Sequence, residues 1–228
     1  GEWRYGLLND LRQLDKTRLP LMIERFCALG LDPETPLPQQ LPWPKLQVKA
    51  ENVTVLREKL NLLDFTKPII ALCPGAEFGP SKRWPAEHFS ALARQLLLDG
   101  YQVWLFGSPK DAEYGATIQH ATKNACTNLI GLTTLAEAID LLSAVTLVVS
   151  NDSGLMHIGA ALDKPLVVLY GSTDPGFTPP LSHQARILNL HLACSPCFKR
   201  ACPLEHGNCM KQLTPDLVLE AIASFDKL

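Results

Sequence analysis

The sequence lacks the surplus of basic residues that proteins dedicated to nucleic acids usually carry. It has 21 lysines and arginines against 23 aspartates and glutamates, a formal net charge of −2, and this balance argues against nucleic acid as a partner. It also lacks an apolar run long enough to cross a membrane as a helix. The first residues, 1–5, do not lead from a basic start into an apolar stretch and so do not resemble a secretory signal.

What the sequence does contain is enough apolar material for a core. Hydrophobic residues make up 46% and charged residues 19%, which favours a folded protein over a disordered one. Three of its seven cysteines are scattered in apolar surroundings, as small core residues often are. The absence of a secretion signal makes a reducing cytoplasm the expected compartment.

The chain changes character at about residue 67. Residues 1–30 read as helical, the proline-rich stretch 33–44 as a linker or extended arm, and residues 53–63 as a short helix. Beyond Lys67, apolar strands alternate with amphipathic helices. We therefore predict two regions, 1–66 and 67–228.

The second region has the pattern of an α/β fold. Strands are predicted at 69–73, 102–106, 147–149 and 166–170, and helices at 85–99, 111–121, 134–143, 155–162 and from Thr214 onward. Such alternation predicts a Rossmann-like parallel sheet with helices on both faces. In these sheets ligands bind at the carboxyl ends of the strands.

The first candidate site, the segment 74–85, leaves a strand through a glycine-containing loop and leads into a helix. It carries Glu77 and two adjacent cations, Lys82 and Arg83. A helix start and a lysine together suit a phosphate. A solvated loop with two surface cations is the alternative, because the segment is neither a Walker loop nor a dinucleotide fingerprint.

The second candidate site follows the strand 147–149. Asp152 can accept hydrogen bonds from sugar hydroxyls, the Ser153 and Gly154 amides face an incoming anion, and His157 lies on the first helical turn. The alternative is that Asp152 or Ser153 only caps the helix. A hydrolase nucleophile turn is disfavoured, because Asn151 stands where that turn requires glycine.

Two further loops are less decisive. Residues 170–175 and 107–109, the latter containing Ser108, follow strands as small polar loops, and a plain turn explains them as well as a ligand contact does.

Four cysteines, at positions 194, 197, 202 and 209, crowd into one segment. The first pair has the spacing of half a zinc site, and Cys202 with Cys209 or His206 could complete it. Because the overall spacing is not that of a standard zinc ribbon, we expect reduced thiols without zinc. The sequence predicts no metal and no cofactor.

These motifs, in this order, resemble the heptosyltransferases of lipopolysaccharide core assembly. The likeness rests on the segments 74–85 and 151–157, the cysteine segment and the opening residues 4–10, so it covers essentially the whole chain. It implies the C-terminal domain of a GT-B fold, with a helical remnant of the N-terminal domain before it.

The resemblance also implies an activity and its partners. The enzyme would be an inverting, metal-independent glycosyltransferase that moves heptose from ADP-L-glycero-D-manno-heptose to the first heptose of the inner core. Lys82 would contact the diphosphate and Asp152 the heptose, and both are our predicted catalytic residues. The predicted donor-binding residues are Glu77, Lys82, Arg83, Ser108, Asp152, Ser153, Gly154 and His157. The implied location is cytoplasmic, at the inner face of the inner membrane, with peripheral membrane association left open.

One departure from the family pattern affects the expected activity. The family's glycine-rich first strand and its acidic general base precede the region matched by Gly1, so we expect this chain alone to bind donor without transferring heptose. The alternatives are another GT-B nucleotide-sugar transferase or epimerase, and a nucleotide-binding module without turnover.

Overall fold

The computed structural model describes residues 6–62 and 66–225. Arg4 and Tyr5, which contribute to the family resemblance, and Leu63, the predicted end of a helix, lie outside these residues. The chain forms two compact units, Gly1–Pro42 with Gly176–Pro179, and Trp43–Pro175 with Pro180–Leu228. The predicted division at residues 66 and 67 stays a prediction.

In the first unit the predicted helix over residues 1–30 is wrong for most of its length. Of the described residues 6–30, only α1, Met22–Leu29, is helical, and residues 6–21 contain no helix. Asp15 explains part of this, because its Oδ1 accepts the Thr17 amide at 2.8 Å and the Thr17 hydroxyl at 2.6 Å, which closes a turn. Residues 33–42 form neither helix nor strand, as the prolines predict.

The second unit is built on a parallel sheet of six strands in the order β3-β2-β1-β4-β5-β6. The strands are β1 Ile69–Cys73, β2 Gln102–Leu105, β3 Thr127–Asn128, β4 Leu147–Asn151, β5 Leu166–Tyr170 and β6 Ala185–Asn189. Every neighbouring pair is parallel. This is the doubly wound order, whose direction reverses between β1 and β4.

Seven helices accompany this sheet in the described part of the chain. They are α2 Ala50–Lys59, α3 Ala86–Leu98, α4 Ala112–Ala121, α5 Leu135–Ser143, α6 Gly154–Ala161, α7 Asn208–Lys211 and α8 Pro215–Ala223. Single 3-10 turns cover Pro80–Lys82 and Pro109–Asp111. The four predicted strands are confirmed, although β4 extends to Asn151 instead of ending at Val149; β3, β6 and α7 were not predicted.

The central strands β1, β4 and β5 are buried on both faces, which agrees with the α/β prediction. Ile70 and Leu72 of β1 belong to the apolar cluster that includes α3 and α8, whereas Ala71 and Cys73 belong to the opposite cluster with α5 and α6. All five β1 residues are buried, and full burial of an aliphatic side chain is worth about 1.5–3 kcal/mol. The core therefore fixes where the strands end.

The start of α5 illustrates how local chemistry sets a helix boundary. The Thr134 hydroxyl accepts the Glu137 amide at 3.3 Å, and the Glu137 carboxylate accepts the Thr134 amide at 2.8 Å. This capping box is the one predicted from the sequence. The Lys59 ammonium, followed by the Thr134 donors, lowers the pKa of Glu137 to about 2.

Within the described residues, no helix has both the length and the apolarity needed to cross a membrane.

Candidate functional site

The two residues predicted to be catalytic meet at the reversal of strand order. Lys82 lies in the loop after β1, and Asp152 follows β4 directly. Lys82 Nζ lies 2.6 Å from Asp152 Oδ2, and their side chains are 14% and 4% exposed. The buried Thr173, in the loop after β5, donates its hydroxyl to the same oxygen at 2.5 Å. Three strand ends thus converge on one carboxylate.

The loop that carries Lys82 is fixed at both ends by the core. The fully buried Asn151 donates to the Pro74 carbonyl at 2.7 Å and accepts the Trp84 amide at 3.2 Å. The Trp84 indole, also fully buried, donates to the Leu213 carbonyl at 2.6 Å. Because each of these buried polar groups has a partner, the loop is anchored where it leaves β1 and where it enters α3.

The middle of the same loop contacts the cysteine-containing segment. The Ser81 amide donates to the Arg200 carbonyl at 3.1 Å, and the Ser81 hydroxyl donates to the Lys199 carbonyl at 2.5 Å. At Gly79 an added Cβ would lie 2.5 Å from the Arg200 carbonyl oxygen. Glycine is therefore required there by the close approach of the two backbones.

Positive charge is concentrated beside Phe78. Lys82 Nζ lies 5.0 Å from the centre of the Phe78 ring, and the Arg200 guanidinium carbon lies 5.6 Å from it. An aromatic face accommodates cations at such distances. The arrangement places a lysine and an arginine near one edge of the sheet, where both could interact with a bound anion.

The first turn of α6 contributes the remaining residues of the second predicted motif. Ser153 is the N-cap residue, although its side chain makes no capping bond, and an added Cβ at Gly154 would meet no atom within 4 Å. Loss of solvent around its ring lowers the pKa of His157; the Asp152 charge raises it and the Lys82 charge lowers it. The helix start is thus open, with His157 on its first turn.

Arg83 contacts different residues from those that Lys82 contacts. Its guanidinium donates to Asp111 Oδ1 at 3.1 Å, and its centre lies 5.3 Å from the Tyr114 ring. Asp111 Oδ2 in turn accepts the Ser108 hydroxyl at 2.8 Å. Arg83 therefore ties the loop after β1 to the loop after β2.

A cavity of about 410 Å³ lies along the strand ends, between the residues that precede Lys82 and those that follow Asp152. Its polar edge includes Glu77, Ser108, Ser153 and Gly154, so it gathers four predicted donor-site residues; Arg83 lines a different cavity. Its apolar wall consists of Leu135, Ala138, Leu155 and Ile158. The sequence interpretation missed this wall, because helix periodicity alone reads such residues as core.

Thr173 was also missed as a member of the site. The sequence signal was present, since a small polar loop follows β5 directly, but a plain turn gives the same pattern. Glu77, in contrast, pairs with Lys110 at 2.6 Å in an ion pair exposed by 78% and 69%. The carboxylate at the centre of the site is Asp152.

The four clustered cysteines are free thiols that surround a separate, small cavity. The backbone amide of Gly207 donates to Cys202 Sγ at 3.4 Å. This and neighbouring amides lower the pKa of Cys202. Burial, followed by the other three cysteines, raises the pKa of Cys209. Among the described residues, no three His, Cys, Asp or Glu side chains are already arranged to hold a metal ion.

A doubly wound parallel sheet with a lysine, a carboxylate and an open helix start at its reversal point has a Rossmann-like fold, and proteins of this fold bind ligands at that point. Comparison with known proteins narrows this class. The glycosyltransferase family 9 (heptosyltransferase) profile matches residues 1–207. The chain belongs to this family.

Individual relatives agree with that assignment. Lipopolysaccharide heptosyltransferase 2 of Salmonella typhimurium is 47% identical over 98% of this chain and 67% of its own length. The structure of E. coli ADP-heptose LPS heptosyltransferase II superposes with a TM-score of 0.86, at 46% identity over 97% of this chain and 66% of that one. The chain thus spans about two thirds of the length of these relatives.

A more distant relative has been solved with a nucleotide. E. coli heptosyltransferase WaaC with ADP superposes with a TM-score of 0.57, at 26% identity, over 82% of this chain and 52% of that one.

Proposed function

We propose that this chain provides the donor site for heptose transfer from ADP-L-glycero-D-manno-heptose to the first heptose of the lipopolysaccharide inner core. The observation that carries the proposal is the convergence of Lys82, Asp152 and Thr173 at the strand-order reversal, beside the open start of α6. The names of the relatives, which include ADP-heptose and lipopolysaccharide, support the donor and the acceptor class.

The proposed division of roles follows from charge. Lys82 and the α6 amides would stabilise the negative diphosphate, and most strongly when ADP departs as leaving group. Asp152 would repel phosphate, so it would instead accept hydrogen bonds from heptose hydroxyls. The cavity with the apolar wall is suited to a flat base, with Glu77 and Ser108 at its polar edge.

A ligand would have to compete with an existing contact. Lys82 already pairs with Asp152 at 2.6 Å, so binding of a diphosphate would transfer part of the lysine's interaction from the carboxylate to phosphate. The freed carboxylate oxygen would then accept a sugar hydroxyl. This exchange links recognition of the two halves of the donor.

The acceptor suggests where the protein works. Because lipopolysaccharide is a membrane lipid, we place the reaction at the cytoplasmic face of the inner membrane, with the protein associated peripherally.

Calorimetric titration with ADP, UDP and ADP-heptose tests the donor. We expect ADP-heptose to bind more tightly than ADP, and UDP to bind most weakly. Equal affinity for ADP and UDP would favour another nucleotide-sugar enzyme. Transfer itself is tested by assaying the protein with ADP-heptose and an acceptor that carries one heptose, and donor binding without turnover would favour a nucleotide-binding module.

A further inference from the structure

The connection between β6 and α7, residues 190–207, has no apolar core of its own. It contains no helix or strand, and none of its residues is buried. Connections longer than about 12–15 residues without regular structure are uncommon in compact domains, unless they are functional or disordered. Something other than apolar burial must therefore hold this loop, which we call the cysteine loop together with Cys209.

Sulfur occupies the interior of the cysteine loop. Cys194, Cys197, Cys202 and Cys209 are all partly buried, whereas Phe198, Lys199, Arg200, Ala201 and Leu204 between them are exposed. The four cysteines line a single cavity of about 30 Å³. A cavity of that size exceeds the roughly 10–15 Å³ that one water requires, so it suits a single ion and excludes an organic ligand.

Both halves of the cluster are held against the same short piece of backbone. The Ser195 hydroxyl donates to the Gly171 carbonyl at 2.5 Å, and the Phe198 amide donates to the Ser172 carbonyl at 2.8 Å. Cys209 lies on the opposite half, and an added Cβ at Gly171 would be 3.2 Å from its sulfur. The end of β5 thus brings the first and the last cysteine together.

From this geometry we propose that the cysteine loop binds one zinc ion through Cys194, Cys197, Cys202 and Cys209. Four thiolates are a common zinc ligand set, with Zn–S distances of about 2.3 Å. The Gly207 amide, which donates to Cys202 Sγ at 3.4 Å, supplies an outer hydrogen bond of the kind that supports metal ligands. Four S–H protons are released to solvent as four Zn–S bonds form.

Four cysteines complete a tetrahedral set without His206, whose Nδ1 accepts the Asn208 amide at 3.0 Å. In the part of the chain that the structure describes, no three of these side chains are arranged as ligands, so binding requires the thiols to reorient toward the cavity. The proposal revises our expectation from the sequence of reduced thiols without zinc, because spacing alone did not reveal the shared cavity.

The proposed zinc would also support the loop that carries Lys82. Ser81 lines the cysteine cavity and is hydrogen-bonded to the carbonyls of Lys199 and Arg200. The ion would thus fix these two carbonyls in the positions in which they accept hydrogen bonds from Ser81. The zinc site itself does not depend on the identity of the donor.

Elemental analysis of the chain tests the site, with the protein produced in zinc-supplied medium without a histidine tag and purified under reducing conditions. We expect about one zinc per chain. A Cys197→Ser, Cys202→Ser double variant should lose it. A matched Cys27→Ser, Cys126→Ser variant, which removes the same number of thiols outside the loop, should retain it. Absence of zinc from the unmodified chain, or equal zinc in both variants, would overturn the proposal.

Cobalt substitution keeps the test decisive if the loop variant fails to fold. Addition of Co²⁺ to the reduced, metal-free chain should produce the intense visible absorption of a tetrahedral cobalt thiolate, and zinc should displace it. Four additional thiols should react with a thiol reagent after zinc is removed by a chelator. A chain that gives neither the cobalt absorption nor the protected thiols contradicts the proposal.

Discussion

The segment 74–85 and the cysteine loop meet at Ser81 but are held in place by different means. The first is bounded by the buried side chains of Asn151 and Trp84, whose polar atoms are hydrogen-bonded. The second contains no buried residue and keeps its cysteines inward. A site loop can therefore be ordered either by the core beneath it or by a local set of cross-linking ligands, and the two should respond differently to substitution.

The sharpest contrast is between an aromatic side chain of each segment. Trp84→Ala should lower the free energy of unfolding by about 3–5 kcal/mol, because it removes a fully buried indole. Phe198→Ala, in the cysteine loop, should change it by no more than about 0.5 kcal/mol, because Phe198 is exposed. Chemical denaturation of both variants measures the difference. Equal losses would mean that the cysteine loop is also held by apolar packing.

Removal of the Asp152 carboxylate should affect binding of the sugar more than binding of the nucleotide. Asp152→Ala should weaken ADP-heptose binding by about 1.5–3 kcal/mol, the worth of a hydrogen bond to a charged group. The loss of affinity for ADP should be smaller, because a carboxylate makes no favourable contact with a phosphate. Calorimetry with both ligands makes the comparison, and an equal loss for the two would assign Asp152 a purely structural role.

We expect Thr173 to stabilise the fold through its hydrogen bond to Asp152 Oδ2. Thr173→Val keeps the shape but removes the hydroxyl donor to the buried Asp152, and should destabilise the fold by about 1–2 kcal/mol. Thr173→Ser, which keeps the hydroxyl, should recover most of that loss in thermal unfolding. A serine variant that is less stable than the valine variant would show that the methyl group of Thr173, and not its hydroxyl, stabilises the fold.

The smallest effect is expected at the exposed pair beside the cavity. Lys110→Ala removes the partner of Glu77 in an ion pair whose members are largely in solvent. Such pairs contribute about 0–1 kcal/mol. Denaturation should therefore show almost no change in stability. A large loss would show that the Glu77–Lys110 pair contributes to the fold as strongly as a buried pair does.

The sequence predicts most of the sheet and the centre of the site for the same reason. Strands such as β1 and β5 are continuous apolar runs, and polar residues that follow them must lie at one edge of a parallel sheet. Lys82 and Asp152 could be selected on that basis. Their mutual contact at 2.6 Å could not, because it joins residues 70 positions apart in the chain.

The parts that sequence patterns did not predict have identifiable causes. Apolar spacing before residue 30 suggested a helix, but side-chain bonds at Asp15 favour a turn. Strand β6 is half-exposed and carries Arg186, so it lacks the signature of a buried strand. Arg83 looked equivalent to Lys82 in the sequence, yet Asp111, which is close only in the fold, pairs with it.

The central claim is that Lys82 holds the diphosphate of the donor, and titration of ADP into matched lysine variants tests it most directly. Lys82→Ala should weaken ADP binding by about 1.5–3 kcal/mol, or roughly 10- to 150-fold. Lys110→Ala should change it by less than about threefold, because that exposed lysine already pairs with Glu77. Unchanged ADP affinity in a folded Lys82→Ala chain would contradict the assignment of this site.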